Sequence, residues 1–237
     1  MPRGVSPAAA ARLYVERLVI LPGSFLVADH AGRAEFERRG RSAAPVAPTA
    51  SRRPACALSS FSQPYKLERS TLELWADALR RSPGCELQLL NHRGRRSDEV
   101  LADELAGVGI ARRRVAWLPV VPRAEHLRRA AASQLSLDTP GYNQGTSGLD
   151  ALWAGLPMLS LPLAQWCGTM GAGLLSAVGL ADGRVPDARS YEDAAVALVA
   201  RAPAAAPRRE GEARTARRRK ALPIRIEVAG SEREVVP

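Results

Sequence analysis

The sequence predicts an α/β fold, a Rossmann-like, doubly wound parallel sheet followed by a disordered basic C-terminal tail. Three observations carry this expectation. From about residue 55 to 200, short apolar runs alternate with segments of roughly ten residues at helical spacing, the pattern of βα units that build a parallel sheet. The polar motifs fall where the apolar runs end, and ligands of such sheets sit at the carboxyl ends of the strands. Most of the basic excess sits in one stretch without apolar periodicity.

In chain order, Leu18-Val-Ile-Leu21 is a buried-strand candidate followed by Pro22-Gly23. Residues 31–54 are polar, basic and rich in Pro and Ala, and read as a linker or variable insertion. Strands are expected at Ala55–Phe61, Glu86–Leu90, Val115–Leu118, Leu135–Leu137 and Met158–Leu161. Helices are expected at Ser70–Arg81, Asp98–Ala106, Ala124–Ala131, Gly148–Ala154, Thr169–Val178 and Tyr191–Ala200. Three helix starts carry capping-box spacing: Ser70 with Glu73, Ser147 with Asp150, and Ser190 with Asp193. The organisation that follows is a lobe at 55–200, preceded by residues 1–30 and a linker at 31–54, with a tail at 201–237. No internal repeat of solenoid period stands out.

The 237 residues are 46% hydrophobic, enough for a real core, and only 5% aromatic. A formal charge of +10 raises the question of nucleic acid. Its location argues otherwise, because within 201–220 eight basic residues stand against Glu210 and Glu212 and contribute +6. That Ala/Pro/Arg segment reads as a solvated, disordered tail, with nonspecific RNA binding as the alternative use. Cys56, Cys85 and Cys167 are widely spaced and imply neither a zinc site nor a disulfide framework, so a reducing compartment is expected. No apolar run approaches the roughly 18–20 residues of a membrane span. Arg12, Glu16 and Arg17 interrupt any signal peptide, and the expected class is a soluble protein of the cytoplasm or nucleus.

The most informative stretch is Leu137-Asp-Thr-Pro-Gly-Tyr-Asn-Gln-Gly-Thr-Ser-Gly-Leu-Asp-Ala-Leu-Trp-Ala-Gly-Leu-Pro-Met158. A short strand ends in a Gly/Thr/Ser loop that opens a helix. The free N–H groups and positive dipole end of such a helix suit a phosphate, and Gly145-Thr-Ser-Gly148 adds two hydroxyls. Asp150 either completes a capping box or accepts hydrogen bonds from a ribose. Upstream, Phe61-Ser-Gln-Pro-Tyr-Lys66 places Gln63 and Lys66 after the first strand of the sheet, where Lys66 offers a point charge to a diphosphate. In Arg123-Ala-Glu-His-Leu-Arg-Arg129, spacing of three puts Arg123, His126 and Arg129 on one broad helix face. The bland alternatives are a surface lysine and a solvated basic face. Gly168-Thr-Met-Gly-Ala-Gly173 has the wrong glycine spacing, and comes too late in the sheet, for a dinucleotide fingerprint. His30 and His92 show no partner in sequence and read as structural or solvent-facing.

Phe61-Ser-Gln-Pro-Tyr-Lys66, Ser70-Thr-Leu-Glu-Leu-Trp75, Val120-Val-Pro-Arg-Ala-Glu-His-Leu-Arg-Arg129, Leu137-Asp-Thr-Pro140 and Leu152-Trp-Ala-Gly155, in this order, resemble the C-terminal catalytic lobe of the protein O-linked N-acetylglucosamine transferases. The resemblance covers about residues 14–30 and 56–200. It implies the C-terminal lobe of a GT-B glycosyltransferase. The implied reaction transfers N-acetylglucosamine from UDP-GlcNAc to Ser/Thr of proteins, with inversion and without a metal or other cofactor.

By that resemblance Gln63 and Lys66 face the diphosphate, and Lys66 stabilises the UDP leaving group. Val121 offers its backbone to uracil, His126 stacks on the base, and Arg123 and Arg129 frame the nucleotide. Thr146 and Ser147 bind phosphate, and Asp150 the ribose. Gly145 stands where the family has a histidine, Arg123 where it has a lysine, and Gly23 where a histidine follows the proline. Residues 1–30 would be a remnant of the N-terminal catalytic lobe, with the rest of that lobe, the substrate-recruiting helical repeats and the terminal bracing helices missing. The alternatives are a GDP-fucose-dependent protein O-fucosyltransferase and a non-catalytic nucleotide-binding remnant or truncated gene product.

Overall fold

Apolar runs bounded by turn residues become strands here because both of their faces are covered, as a parallel sheet requires. The computed structural model describes residues 15, 19–20, 26, 29–30, 56–91, 95–201 and 227–228. Among them are seven strands: β1 (Val19–Ile20), β2 (Cys56–Ser60), β3 (Cys85–Asn91), β4 (Val115–Pro119), β5 (Leu135–Leu137), β6 (Met158–Leu159) and β7 (Glu227–Val228). Six helices accompany them: α1 (Arg69–Arg80), α2 (Arg95–Gly107), α3 (Arg123–Ala131), α4 (Thr146–Trp153), α5 (Met170–Ala177) and α6 (Ala188–Arg201).

Strands β2 to β6 form one parallel sheet in the order β4-β3-β2-β5-β6. The chain starts in the middle, winds outward through β3 and β4, then returns to lay β5 on the other side of β2. This reversal is a topological switch point, where open α/β sheets carry their ligands at the carboxyl ends of the strands.

Alternation along the strands sends neighbouring side chains to opposite faces. Leu87 and Leu89 join a core with Leu72, Trp75 and Leu79 of α1, Leu105 of α2 and Tyr191 of α6. Leu90, one residue on, packs instead with Phe61, Ala130 of α3, Ala151 of α4 and Leu156. Helices therefore cover both faces, as the doubly wound expectation requires. Burying a leucine or tryptophan in this way stabilises the fold by roughly 1.5–3 kcal/mol each.

None of the expected capping boxes forms. Helix α1 starts at Arg69 behind Glu68, and Glu73 instead accepts from Arg69 Nε at 3.0 Å. Helix α4 starts at Thr146 behind Gly145, so Ser147 lies inside the helix and caps nothing. At α6 the cap is Asp187, whose Oδ1 accepts from the Ser190 N–H at 2.7 Å, while Asp193 pairs with Arg81 at 2.6 Å. In each case a carboxylate found a nearby cation, which attracts it more strongly than a neutral N–H.

Two further expectations are corrected. Cys56 and Cys85, read as unpaired, form a disulfide with Cα atoms 4.4 Å apart, leaving Cys167 as the free thiol. Spacing of 29 residues hides this pairing, but the β2–β3 register places the two directly side by side. Glu227–Val228, assigned to the disordered tail, pairs antiparallel with Val19–Ile20. The linker at 31–54, His92 and residues 202–226 lie outside the described residues. No described helix is long and apolar enough to cross a membrane.

Candidate functional site

A hydrogen bond spans the switch point. Lys66, at the end of the short 3-10 turn after β2, donates from Nζ to the backbone carbonyl of Asn143, in the loop after β5, at 2.8 Å. Its ammonium also lies 4.1 Å from the centre of the Tyr142 ring. Burial pushes the Lys66 pKa down, and the charges of Asp138 and Cys167 act against that shift. A partly desolvated cation is thus held where the two halves of the sheet part.

The loop from Asp138 to Gly145 keeps its shape through Asp138, which is fully buried. Its Oδ1 accepts from the Thr139 N–H at 2.9 Å and the Gln144 N–H at 2.6 Å, and its Oδ2 from Ser160 Oγ at 2.5 Å. Burial raises the Asp138 pKa to about 6, against the pull of these hydrogen bonds and of Lys66. Asn143 continues the network, donating to Thr139 O at 2.9 Å and accepting from the Gly171 N–H at 3.0 Å. Gly171 itself is forced, since a Cβ there would collide with Asp138 Oδ2 and Ser160 Oγ. Sequence reasoning singled out none of Asp138, Asn143, Gln144 or Ser160 as site residues. The available signal was a carboxylate and two amides directly behind an apolar strand, where burial demands that each be satisfied.

Helix α4 follows at once. No side chain caps it, because its first position is preceded by Gly145. Thr146 is exposed and Ser147 half-buried. Among the described residues no side chain caps the first N–H groups of the helix, at its positive dipole end.

One turn into α4 sits Asp150. Its Oδ1 accepts from Arg123 Nη2 at 2.8 Å and from His30 Nε2 at 2.7 Å. His30, expected to lack a partner, is buried against this carboxylate and against the Trp153 ring, 5.1 Å away. Separation by 120 positions is why sequence spacing conceals it.

The other candidates divide. His126 meets the Phe61 ring edge-on at 4.9 Å, which supports its imidazole from the switch-point side. Arg129 donates to Pro119 O at 2.8 Å at the end of β4, and burial lowers its pKa while Glu125 opposes that. The expected shared face of Arg123, His126 and Arg129 is therefore split among three partners. Gln63 is exposed, and its carbonyl accepts from the Lys66 N–H at 3.0 Å. Val121 is half-buried between β4 and α3. Ser60 and Ser62, at the end of β2 and just after it, carry buried hydroxyls that find no hydrogen-bond partner among the described residues.

A five-stranded parallel sheet that reverses its strand order and is covered by helices on both faces defines an α/β lobe of the GT-B kind. The chain belongs to glycosyl transferase family 41, whose pattern matches residues 52–221. It is 30% identical over 200 residues to a probable UDP-N-acetylglucosamine–peptide N-acetylglucosaminyltransferase of Arabidopsis thaliana, covering 84% of this chain and 20% of that protein. A Caenorhabditis elegans UDP-N-acetylglucosamine–peptide N-acetylglucosaminyltransferase is 31% identical over 144 residues, covering 61% of this chain and 12% of its own length. The chain thus spans a fifth or less of these relatives. Among solved structures, an O-GlcNAc transferase mutant of Thermobaculum terrenum superposes with a TM-score of 0.59 at 26% identity, over 71% of this chain and 31% of the other.

Proposed function

We propose that this lobe binds UDP-GlcNAc and serves the transfer of N-acetylglucosamine to Ser/Thr side chains of proteins. The observation that carries the reading is the Lys66–Asn143 bond across the switch point, beside an α4 start that no side chain caps. Positive charge from Lys66 and from the helix dipole meets the diphosphate, with no need of a metal. As the acceptor hydroxyl oxygen bonds the anomeric carbon from the far face and releases its proton to solvent, the bond from that carbon to the diphosphate breaks. The electron pair leaves on UDP, where Lys66 offsets it, and the anomeric centre inverts.

His126 takes the base, Val121 offers it backbone groups, and Arg123 and Arg129 frame the nucleotide. Gln63, Thr146 and Ser147 meet the phosphates, and Asp150 meets the ribose. The acceptor protein enters from a facing lobe of the GT-B arrangement. A cytoplasmic or nuclear site of action fits this substrate class, and the redox state of Cys56–Cys85 in the cell tests it.

Calorimetric titration of the folded chain with UDP and with GDP decides the donor. UDP should bind, weakened about tenfold or more in Lys66→Ala and in Asp150→Ala, as expected for losing a charged hydrogen-bonding partner. Preference for GDP would move the assignment to a fucose donor. A folded wild-type chain that binds neither would end the nucleotide-sugar reading.

A further inference from the structure

Asp150 receives two cationic or ring N–H donors on a single oxygen. His30 Nε2 lies 2.7 Å and Arg123 Nη2 2.8 Å from the same Oδ1. Among the described residues Oδ2 has no hydrogen-bond partner. A carboxylate can accept at both oxygens, so fixing it through one leaves the other's lone pairs for a third donor. The carboxylate cannot donate, so His30 must carry its proton on Nε2 here.

The support is itself buried. His30 is 6% exposed, Asp150 13% and Arg123 18%. The imidazole lies against Trp153, three positions along α4 from Asp150, with the rings tilted by 31°. Arg123 reaches in from the first turn of α3. Three elements far apart in sequence thus converge on one oxygen, while the helix that bears it begins at the uncapped phosphate-facing end. A carboxylate serving only to neutralise Arg123 would not need a buried imidazole on the same atom.

We propose that His30 is a positioning residue for the nucleotide, holding the Asp150 carboxylate with Arg123 so that Oδ2 is presented to a ribose hydroxyl. This rests on the nucleotide reading above, in which Asp150 contacts the ribose. His30 touches no ligand atom itself. Its effect is carried wholly by the orientation of Asp150.

The test is calorimetry on the full chain with two probes, UDP and a dideoxy-UDP lacking both ribose hydroxyls. Wild type should prefer UDP by about tenfold. His30→Phe keeps a ring against Trp153 but removes the donor. It should weaken UDP by about tenfold and leave dideoxy-UDP unchanged. His30→Gln, which restores an N–H donor, should recover most of the preference. If circular dichroism shows His30→Phe unfolded, His30→Ala makes the same comparison.

Equal weakening of both probes would mean that His30 merely braces the lobe, and would overturn the proposal. Unchanged UDP binding in His30→Phe would overturn it as well. Asp150→Ala separates the two levels, because it should abolish the difference between the probes. If that difference survives in Asp150→Ala, the ribose role of Asp150 is wrong, and the proposal falls with it.

Discussion

The two ends of the same sheet treat charge in opposite ways. At the amino end, β2 and β3 are joined by Cys56–Cys85, and the Arg114 guanidinium donates to three carbonyls, Leu79 O at 2.9 Å, Ser82 O at 2.7 Å and Cys85 O at 2.6 Å. These bonds all go to backbone, at the end of α1, in the turn after it and at the start of β3. At the carboxyl end, Lys66 and Asp138 are drawn out of water, while the first turn of α4 and Asp150 Oδ2 keep unused bonding capacity. One end is saturated and closed, and the other is held rigid but incompletely satisfied. A binding site differs from a structural corner in that remainder, more than in the number of charges it contains.

Reducing the disulfide should produce the largest effect, and on stability alone. Opening a loop closed over 29 positions is expected to cost roughly 3–4 kcal/mol through the freed entropy of the unfolded chain. Urea titration with and without reductant measures it. UDP affinity of the fraction still folded should be unchanged, and a parallel loss of affinity would show that the two ends are not independent.

Asp138→Asn should change how stability depends on pH. The folded-state pKa of Asp138 is raised from 3.8 to about 6, so between those values the folded chain binds more protons than the unfolded one. Stability from this group is therefore greatest at low pH and declines as pH rises through about 4 to 6, by about 3 kcal/mol in total. Asparagine removes the titration. Denaturation midpoints at several pH values should show the variant gaining on wild type across that window, and a constant difference would place Asp138 in the ordinary carboxylate range.

The smallest effect is expected for Arg114→Lys, roughly 1–2 kcal/mol, because an ammonium cannot reproduce a planar fork aimed at three carbonyls. Chemical denaturation reads it directly. No measurable change would mean that water replaces those bonds freely, and the contrast between the ends would lose its amino-terminal half.

Much of this architecture was legible in the chain. Leu87 and Leu89 against Leu90 announce a strand buried on both faces, and Leu135–Leu137 is predicted to the residue. Lys66 and the helix after β5 were legible because their signals are local, a cation after one strand and a Gly/Thr/Ser run after another, although that helix starts at Thr146 and takes in both hydroxyls. What stayed hidden was long-range. His30 meets Asp150 across 120 positions, and Cys56 meets Cys85 only through strand register. The capping boxes failed because local spacing assumes that a carboxylate has no better partner. Arg81 lies close enough to Asp193, and Arg123 to Asp150, to win.

Gly171 ties two segments of the chain into one unit of change. Any side chain there meets both the Asp138 carboxylate and the Ser160 hydroxyl. A library that randomises the loop after β5 must therefore keep all three positions or vary them together. Most single substitutions among them would be discarded for misfolding before any change in binding was sampled.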